Sequence, residues 1–403
     1  MGCCKCEKAE TSRRDFWTFL FVLSRLYRQL QKKPVHRKAL VHTLCACKNS
    51  AGDIMLAAVT RPCRRVSSLT NTAVRQYQYL AANGASLFRD TPYLRSDHLS
   101  ASVGSKTSAD VDVMLKYDFL QPTGSFKDRG ISHLCKTLRD DYDAKALVVA
   151  SGGNAGLAVA RAGHVLGMTV KVVVPTTTKP LMLDKIRAYG ADVEIHGANF
   201  GEANSHALEL ADDDDSAHFV HPFDHPLLWE GHSSIVDEIV TSGGEQPGTI
   251  IVSVGGGGLF AGVHEGLVRN GWLDTKIVVA ETEGANCLAA SMERGELVTL
   301  PGITSIATSL GSPTACQQAF DAATQGEIQV ISEVFTDQEV VQTMQSFLDD
   351  HRVLVEPACA AALSVLYHRA ESLATDGRPI AAVVCGGSGL NTEILNEWRD
   401  QFL

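Results

Sequence analysis

The chain has 403 residues, 45% hydrophobic and 6% aromatic, enough for two domains of ordinary soluble composition. Its formal net charge of −10 is unevenly spread: residues 1–86 hold 15 Lys and Arg against 4 Asp and Glu, whereas residues 87–403 hold 21 against 42. An acidic body lacks the clustered cations that a phosphate backbone requires, which excludes nucleic acid as a partner.

The basic segment comes first. Six of the 11 cysteines lie in it, at 3, 4, 6, 45, 47 and 63, and the others stand singly at 135, 287, 316, 359 and 385. Isolated cysteines of that kind read as reduced, so the expected location is cytoplasmic. Cys3, Cys4 and Cys6 raise the question of a lipidated or metal-binding cluster, but no second CxxC or HxxxH partner follows at zinc-like spacing. The run FWTFLFVL, Phe16 to Leu23, is far short of the roughly 20 residues of a membrane span, so no membrane span is expected. Arginines and lysines flank it, and residues 11–40 read either as an amphipathic mitochondrial targeting segment or as a poorly ordered extension.

From about residue 88, β-rich runs alternate with Ala- and Leu-rich helical runs over short connections, the pattern of a parallel α/β architecture. Strands are expected from Val111 to Tyr117, Ala146 to Ala150, Val170 to Val174, Val193 to His196, Thr249 to Val254, Ile277 to Glu281 and Ile380 to Val384. Helices are expected after Lys127, Asn154, Lys179, Gly201, Trp229, Leu259, Asn286, Asp337 and Glu356. The segment HPFDHPLLWEGH offers His221, His225 and His232, but Pro222 and Pro226 forbid one helix presenting the first two on a single face, so it reads as a crossing between lobes and not as a zinc site.

Four loops each follow a predicted strand, where ligands of open α/β sheets collect. QPTGSFKDRG, Gln121 to Gly130, sets Lys127 behind a permissive turn; a lysine that forms a Schiff base must be partly unprotonated, which burial allows. By itself this reads better as a solvated lysine at a helix start. SGGNAG, Ser151 to Gly156, exposes backbone N–H groups, the Ser151 hydroxyl and the Asn154 amide, a natural carboxylate cradle, or equally a turn that lets helix and strand pack closely. SVGGGGLFA places Gly255, Gly256, Gly257 and Gly258 where the backbone can wrap a phosphate, and it also contains a G-x-G-x-x-A pattern that admits a dinucleotide reading. AAVVCGGSGLN ends a strand at Cys385, by default a small buried hydrophobe.

Lysine, Ser-Gly-Gly-Asn, tetraglycine and Cys-Gly-Gly, in that order, supply a carbonyl-capturing amine, a carboxylate cradle, a phosphate cup and a partner for a ring nitrogen. On these motifs, residues 91–403 resemble the fold-type II pyridoxal-phosphate-dependent enzymes, and within them the L-serine/L-threonine dehydratases. PFDHPLLWEGHSSIVDEI, LPGITSIATSLG and VEPACAAALSVLY add to the resemblance. Ala155 and Cys385 separate the chain from serine racemases and biosynthetic threonine deaminases, which usually carry histidine and serine there.

The resemblance implies an α/β fold with two open parallel-sheet domains and the cofactor in the cleft between them: residues 88–121 and 223–403 as the large domain, 122–222 as the small one, and 1–87 as an extension. It implies Lys127 as cofactor anchor and base, Ser151 as its catalytic companion, and Phe126 packing on the ring. Asn154 would meet the phenolic oxygen, Gly255 to Gly258 and Leu259 the phosphate, and Cys385 the ring nitrogen. Ser125, Ser151, Gly152, Asn154 and Ala155 would hold the substrate. A monovalent cation, K+, would take oxygens of Glu281, Gly255, Ala285, Leu310 and Ser312, and a homodimer is usual. The implied reaction turns L-serine into pyruvate and ammonia, and L-threonine into 2-oxobutyrate. Three departures stand against it. Gly152 replaces a bulkier residue, Cys287 stands where a serine oxygen is common, and Asp128 gives the FKDRG form found in threonine synthases. A threonine synthase, a catalytically impaired homologue and a nicotinamide dehydrogenase using GGGGLFA are therefore the alternatives.

Overall fold

A computed structural model of the chain describes residues 44–48, 54–58, 87–373 and 376–403. The cysteine cluster at 3 to 6, the apolar run at 16 to 23 and the targeting segment at 11 to 40 lie outside the described residues. In the N-terminal unit, Leu44–Lys48 (β1) and Ile54–Ala58 (β2) pair antiparallel with Leu44 opposite Ala58.

Residues 85–403 form a compact unit of their own with two sheets. The first has six strands in the order β11-β10-β9-β12-β4-β3: Tyr93–Arg95 (β3), Val113–Lys116 (β4), Thr249–Ser253 (β9), Lys276–Thr282 (β10), Val330–Phe335 (β11) and Ile380–Val383 (β12). All are parallel except the edge strand β3. The second is parallel throughout, in the order β7-β6-β5-β8: Ala146–Ala150 (β5), Thr169–Val174 (β6), Asp192–Ile195 (β7) and Ala217–Phe219 (β8). The chain leaves the large sheet after β4, builds the small one, and returns for β9.

The helices are Asp97–Thr107 (α1), Lys127–Tyr142 (α2), Asn154–Leu166 (α3), Pro180–Arg187 (α4), Phe200–Asp212 (α5) and Pro226–Thr241 (α6). They continue as Gly258–Asn270 (α7), Cys287–Arg294 (α8), Gln317–Thr324 (α9), Asp337–His351 (α10), Pro357–His368 (α11) and Thr392–Phe402 (α12). None of these described helices is long and apolar enough to cross a membrane.

Strand burial explains the near-continuous apolar runs. Along β5, Leu147 and Val149 join the cluster of Ile131, Leu134 and Leu157, while Val148 and Ala150 join Ala203 and Ala207 on the opposite face. Alternate residues of one strand thus feed two cores, as a sheet covered on both sides demands. The expected strands and helices all appear, with ends shifted by a few residues. β3, β8, β11, α1, α9 and α12 were not expected: β3 and β8 span three residues each, and β11 is an edge strand, largely half-buried, that lacks a continuous apolar run. Helix α6 begins at Pro226, because the His225 ring accepts the Leu227 N–H and caps it. His221 instead accepts the N–H of Asp224 at 2.8 Å, and His232 packs on the Phe126 ring, so these histidines do not converge on a metal.

Candidate active site

A cleft of about 570 Å³ is lined from both sheets: by Ser125, Phe126 and Lys127, by Ser151 to Ala155, by Gly255 to Leu259, and by Cys385. The four loops legible in the sequence therefore meet.

Lys127 begins α2. Its amine donates to the Pro222 carbonyl at 2.6 Å and lies 5.1 Å from the centre of the Phe126 ring. Burial pushes its pKa down to about 8, against a smaller opposing pull from Cys385 and Cys316. Lys127 is therefore an inward lysine, unlike the solvated one its local sequence favours.

Its charged neighbours face the other way. Arg129 is fully buried and donates to both oxygens of Asp118, at 2.7 and 2.8 Å, and to Glu238, which also takes Lys116. Two cations and two carboxylates balance in the core, so this cluster ties α2 to α6 and to the end of β4 with its charges paired. Asp128 is buried as well; its Oδ2 accepts the Thr123 N–H at 2.6 Å, and burial pushes its carboxyl up to about 6. Asp128 does not line the cleft, so the FKDRG form here is an anchoring device and says nothing about substrate.

Two helix N-termini open on the cleft. Among the described residues, the backbone N–H groups of Gly255 to Leu259, at the start of α7, have no acceptor, and neither do those of Gly152, Asn154 and Ala155 at the start of α3. Unpaired donors at a helix start suit an anion. In the tetraglycine turn Gly257 has φ +95°, and a side chain at Gly258 would meet the Phe223 carbonyl at 2.6 Å. At Gly152 the space is not vacant: Thr178 Oγ1 stands 2.6 Å from where a Cβ would sit. The Ser125 hydroxyl is buried with no partner among the described residues.

Sequence reasoning missed Glu356. It precedes Pro357 at the start of α11 and makes no cap bond; its carboxylate instead reaches the cleft and accepts from Asn154 Nδ2 at 2.9 Å, Ser309 Oγ at 2.6 Å and the Gly389 N–H. Asn154 Oδ1 accepts the Ser388 N–H at 2.9 Å, so the amide orientation is fixed and a single N–H is left over. The VEPACAAAL stretch pointed at this position without saying which way its carboxylate turns. Cys385 is buried, its sulfur 3.4 Å from Ser253 Oγ. Lys179 and Trp398, also missed, stack at the rim, 5.2 Å from amine to ring centre.

Of the five residues expected around a cation, Gly255, Leu310 and Ser312 line the cleft, whereas Glu281 and Ala285 do not. The fully buried Glu281 carboxylate accepts the N–H groups of Leu288 and Ala289 at 2.9 and 2.7 Å, and burial pushes it up to about 7. Cys287 turns its thiol to the Gly255 carbonyl at 3.5 Å, and its own carbonyl is taken by Ser291.

A buried amine between two anion-binding turns defines a lysine-centred enzyme site. The model of the pyridoxal-phosphate dependent enzymes matches residues 85–386, and the chain belongs to that family, with the fold-type II architecture. It is 42% identical over 320 residues to the serine dehydratase-like protein of Rattus norvegicus, covering 78% of this chain and 94% of that one. With the L-serine dehydratase/L-threonine deaminase of Bos taurus it shares 41% over 316 residues, 77% and 94% of the two chains. The solved L-serine ammonia-lyase of Rhizomucor miehei superposes with a TM-score of 0.72 at 31% identity, over 79% of this chain and 99% of that one. The residues present fit the cofactor: an inward amine, unpaired N–H groups at two helix starts, and an orphaned Ser125 hydroxyl. The dinucleotide reading of GGGGLFA is set aside with the family.

Proposed function

We propose that the chain is a pyridoxal-phosphate-dependent ammonia-lyase that converts L-serine to pyruvate and ammonia and L-threonine to 2-oxobutyrate and ammonia. The observation that carries the proposal is the burial of Lys127 between two turns whose N–H groups lack acceptors; relatives bearing the serine and threonine dehydratase names support the substrate class. Pyridoxal phosphate, when bound, supplies the electron sink that lets a Cα proton leave.

Every other requirement falls to the chain's own side chains and backbone. With its pKa near 8, a useful fraction of Lys127 is unprotonated at neutral pH and able both to anchor the cofactor and to take up the Cα proton. Gly255 to Leu259 would bind the phosphate, and Phe126 and Cys385 the ring. Asn154 would spend its remaining N–H on the phenolic oxygen, aimed by Glu356 and Ser388. Ser125, Ser151, Gly152, Asn154 and Ala155 would orient the substrate carboxylate, with Thr178 filling the space beside Gly152.

A K+ ion belongs to the proposal because Glu281 is a buried carboxylate whose partners among the described residues are N–H groups, and a cation would offset its charge. The five described cysteines are buried and unbridged, which suits an enzyme of a reducing compartment, cytoplasmic or mitochondrial. A homodimer rests on the resemblance alone and is measured by sedimentation. The decisive assay is 2-oxoacid release by the purified chain from L-serine, L-threonine and D-serine, with and without K+. L-Serine should turn over, and Lys127→Ala should lose at least about 10³-fold together with the visible absorbance of the bound cofactor. No release from either L-amino acid by the cofactor-loaded protein would falsify the reading.

A further inference from the structure

Away from the cleft lining, the edge of the small sheet carries a cluster that the proposed reaction does not use. Glu194 lies on β7 and His196 just past its end, where the His196 N–H still donates to the Val174 carbonyl, so the alternation carries the two side chains to the same face. That face is covered by α5, which brings His206 over them. His206 Nε2 lies 2.6 Å from Glu194 Oε1, the His196 and His206 rings stack with centres 4.0 Å apart, and one ligand atom from each residue falls within 4.8 Å of the others.

We propose that Glu194, His196 and His206 form a zinc site. Two imidazoles and one carboxylate are a donor set for Zn2+, and three protein ligands leave a fourth position for water. Bonds of 2.0 to 2.1 Å set tetrahedral ligands roughly 3.4 Å apart, so the site forms when the His206–Glu194 pair opens from its 2.6 Å contact and the stacked His196 ring rotates to bring a nitrogen to the same point. His196 is exposed and Glu194 and His206 are half-buried, so those rotations meet little packing. The outer contacts already suit the ligands. Glu194 Oε2 is held by Lys171 at 3.2 Å, and a bound ion would take the place of the proton that Glu194 Oε1 and His206 Nε2 share. A bound ion would tie β7 to α5 and so hold the Gly197 to Asn199 connection that delivers Phe200 to the cleft wall.

The test is a zinc titration of the purified full-length holoenzyme against a chromophoric chelator. Thiols bind zinc, so wild type is compared with His196→Ala and His206→Ala, which keep every cysteine. Wild type should bind one equivalent more than either variant, while all three melt alike without zinc and turn over L-serine alike. The exposed His196 variant guards against a folding defect in the other. Equal stoichiometry and affinity in the wild type and the His196→Ala protein would overturn the site and leave a hydrogen-bonded network on a sheet edge, without bearing on the lyase reading.

Discussion

Across the cleft, two glycine turns begin two helices, yet they are secured differently. At Gly256 and Gly258 an added side chain would run into Phe223, and at Gly255 into Leu310, so the tetraglycine turn is walled by its surroundings and its N–H groups are set by close packing. At Gly153 the nearest atom to an added Cβ is Ser151 Oγ, 3.9 Å away. The SGGNAG turn is open only there, since Gly152 faces Thr178 and Gly156 the Ser151 carbonyl, and it carries in addition polar contacts that hold Asn154 between Glu356 and Ser388. A phosphate site can be built once and left rigid. The turn expected to meet the substrate is placed by hydrogen bonds that join the two sheets, so its position depends on how those sheets sit.

That contrast can be broken by substitution. The largest effect is expected from Gly258→Ala, where backbone at 2.6 Å cannot give way: overpacking of about 1–3 kcal/mol should weaken cofactor retention roughly ten- to hundredfold, read by fluorescence titration of the apoenzyme. Glu356→Ala removes the acceptor of Asn154, Ser309 and Gly389, and unpaired buried donors cost about 1–3 kcal/mol. If Glu356 positions Asn154, the alanine variant should lower cofactor affinity and shift the visible spectrum, and Glu356→Gln should recover part of both. A spectrum unchanged in both variants would make Glu356 a structural residue only.

A smaller effect is expected at the lysine turn. Asp128 has its folded pKa raised from 3.8 to about 6, so the folded state holds this proton more tightly than the unfolded chain does. Its contribution to stability is therefore greatest below pH 4 and is lost as pH rises from about 4 to 6. Asp128→Asn should flatten that part of the melting profile and leave the variant at least as stable as the wild type at pH 7, where the wild type has lost this contribution. An unaltered slope would show that Asp128 stays ionised through its Thr123 and Arg161 contacts. The smallest effect belongs to Gly153→Ala, with open space at its Cβ: kcat/KM for L-serine should stay within about twofold of wild type, the limit of a change worth 0.5 kcal/mol or less. A loss as large as that at Gly258 would end the distinction between the turns.

Legibility followed the backbone. Lys127, the two glycine turns and Cys385 could be read because glycine beside a strand end leaves a local mark, and so could both parallel sheets, because strands buried on two faces lose their alternation. Arg129 could not be assigned: nothing local distinguishes a buried arginine from a solvated one, and its partners Asp118 and Glu238 are 11 and 109 residues away. Thr178 was equally silent, since its proximity to Gly152 exists only after β6 has paired beside β5. Gly152 stands where a bulkier residue is usual, and Thr178 takes the room it leaves.

By itself, then, the sequence determined the alternation of strands and helices, the loops that carry the chemistry and the family they belong to, because each depends on near neighbours along the chain. Only the tertiary structure decided that Lys127 is desolvated, that Asp128 and Arg129 turn into the core, that Glu356 aims Asn154, and that Glu194 and His196 meet His206. Charge, desolvation and hydrogen-bond partners are properties of what packs around a group, and in this chain those groups come from opposite ends of two sheets.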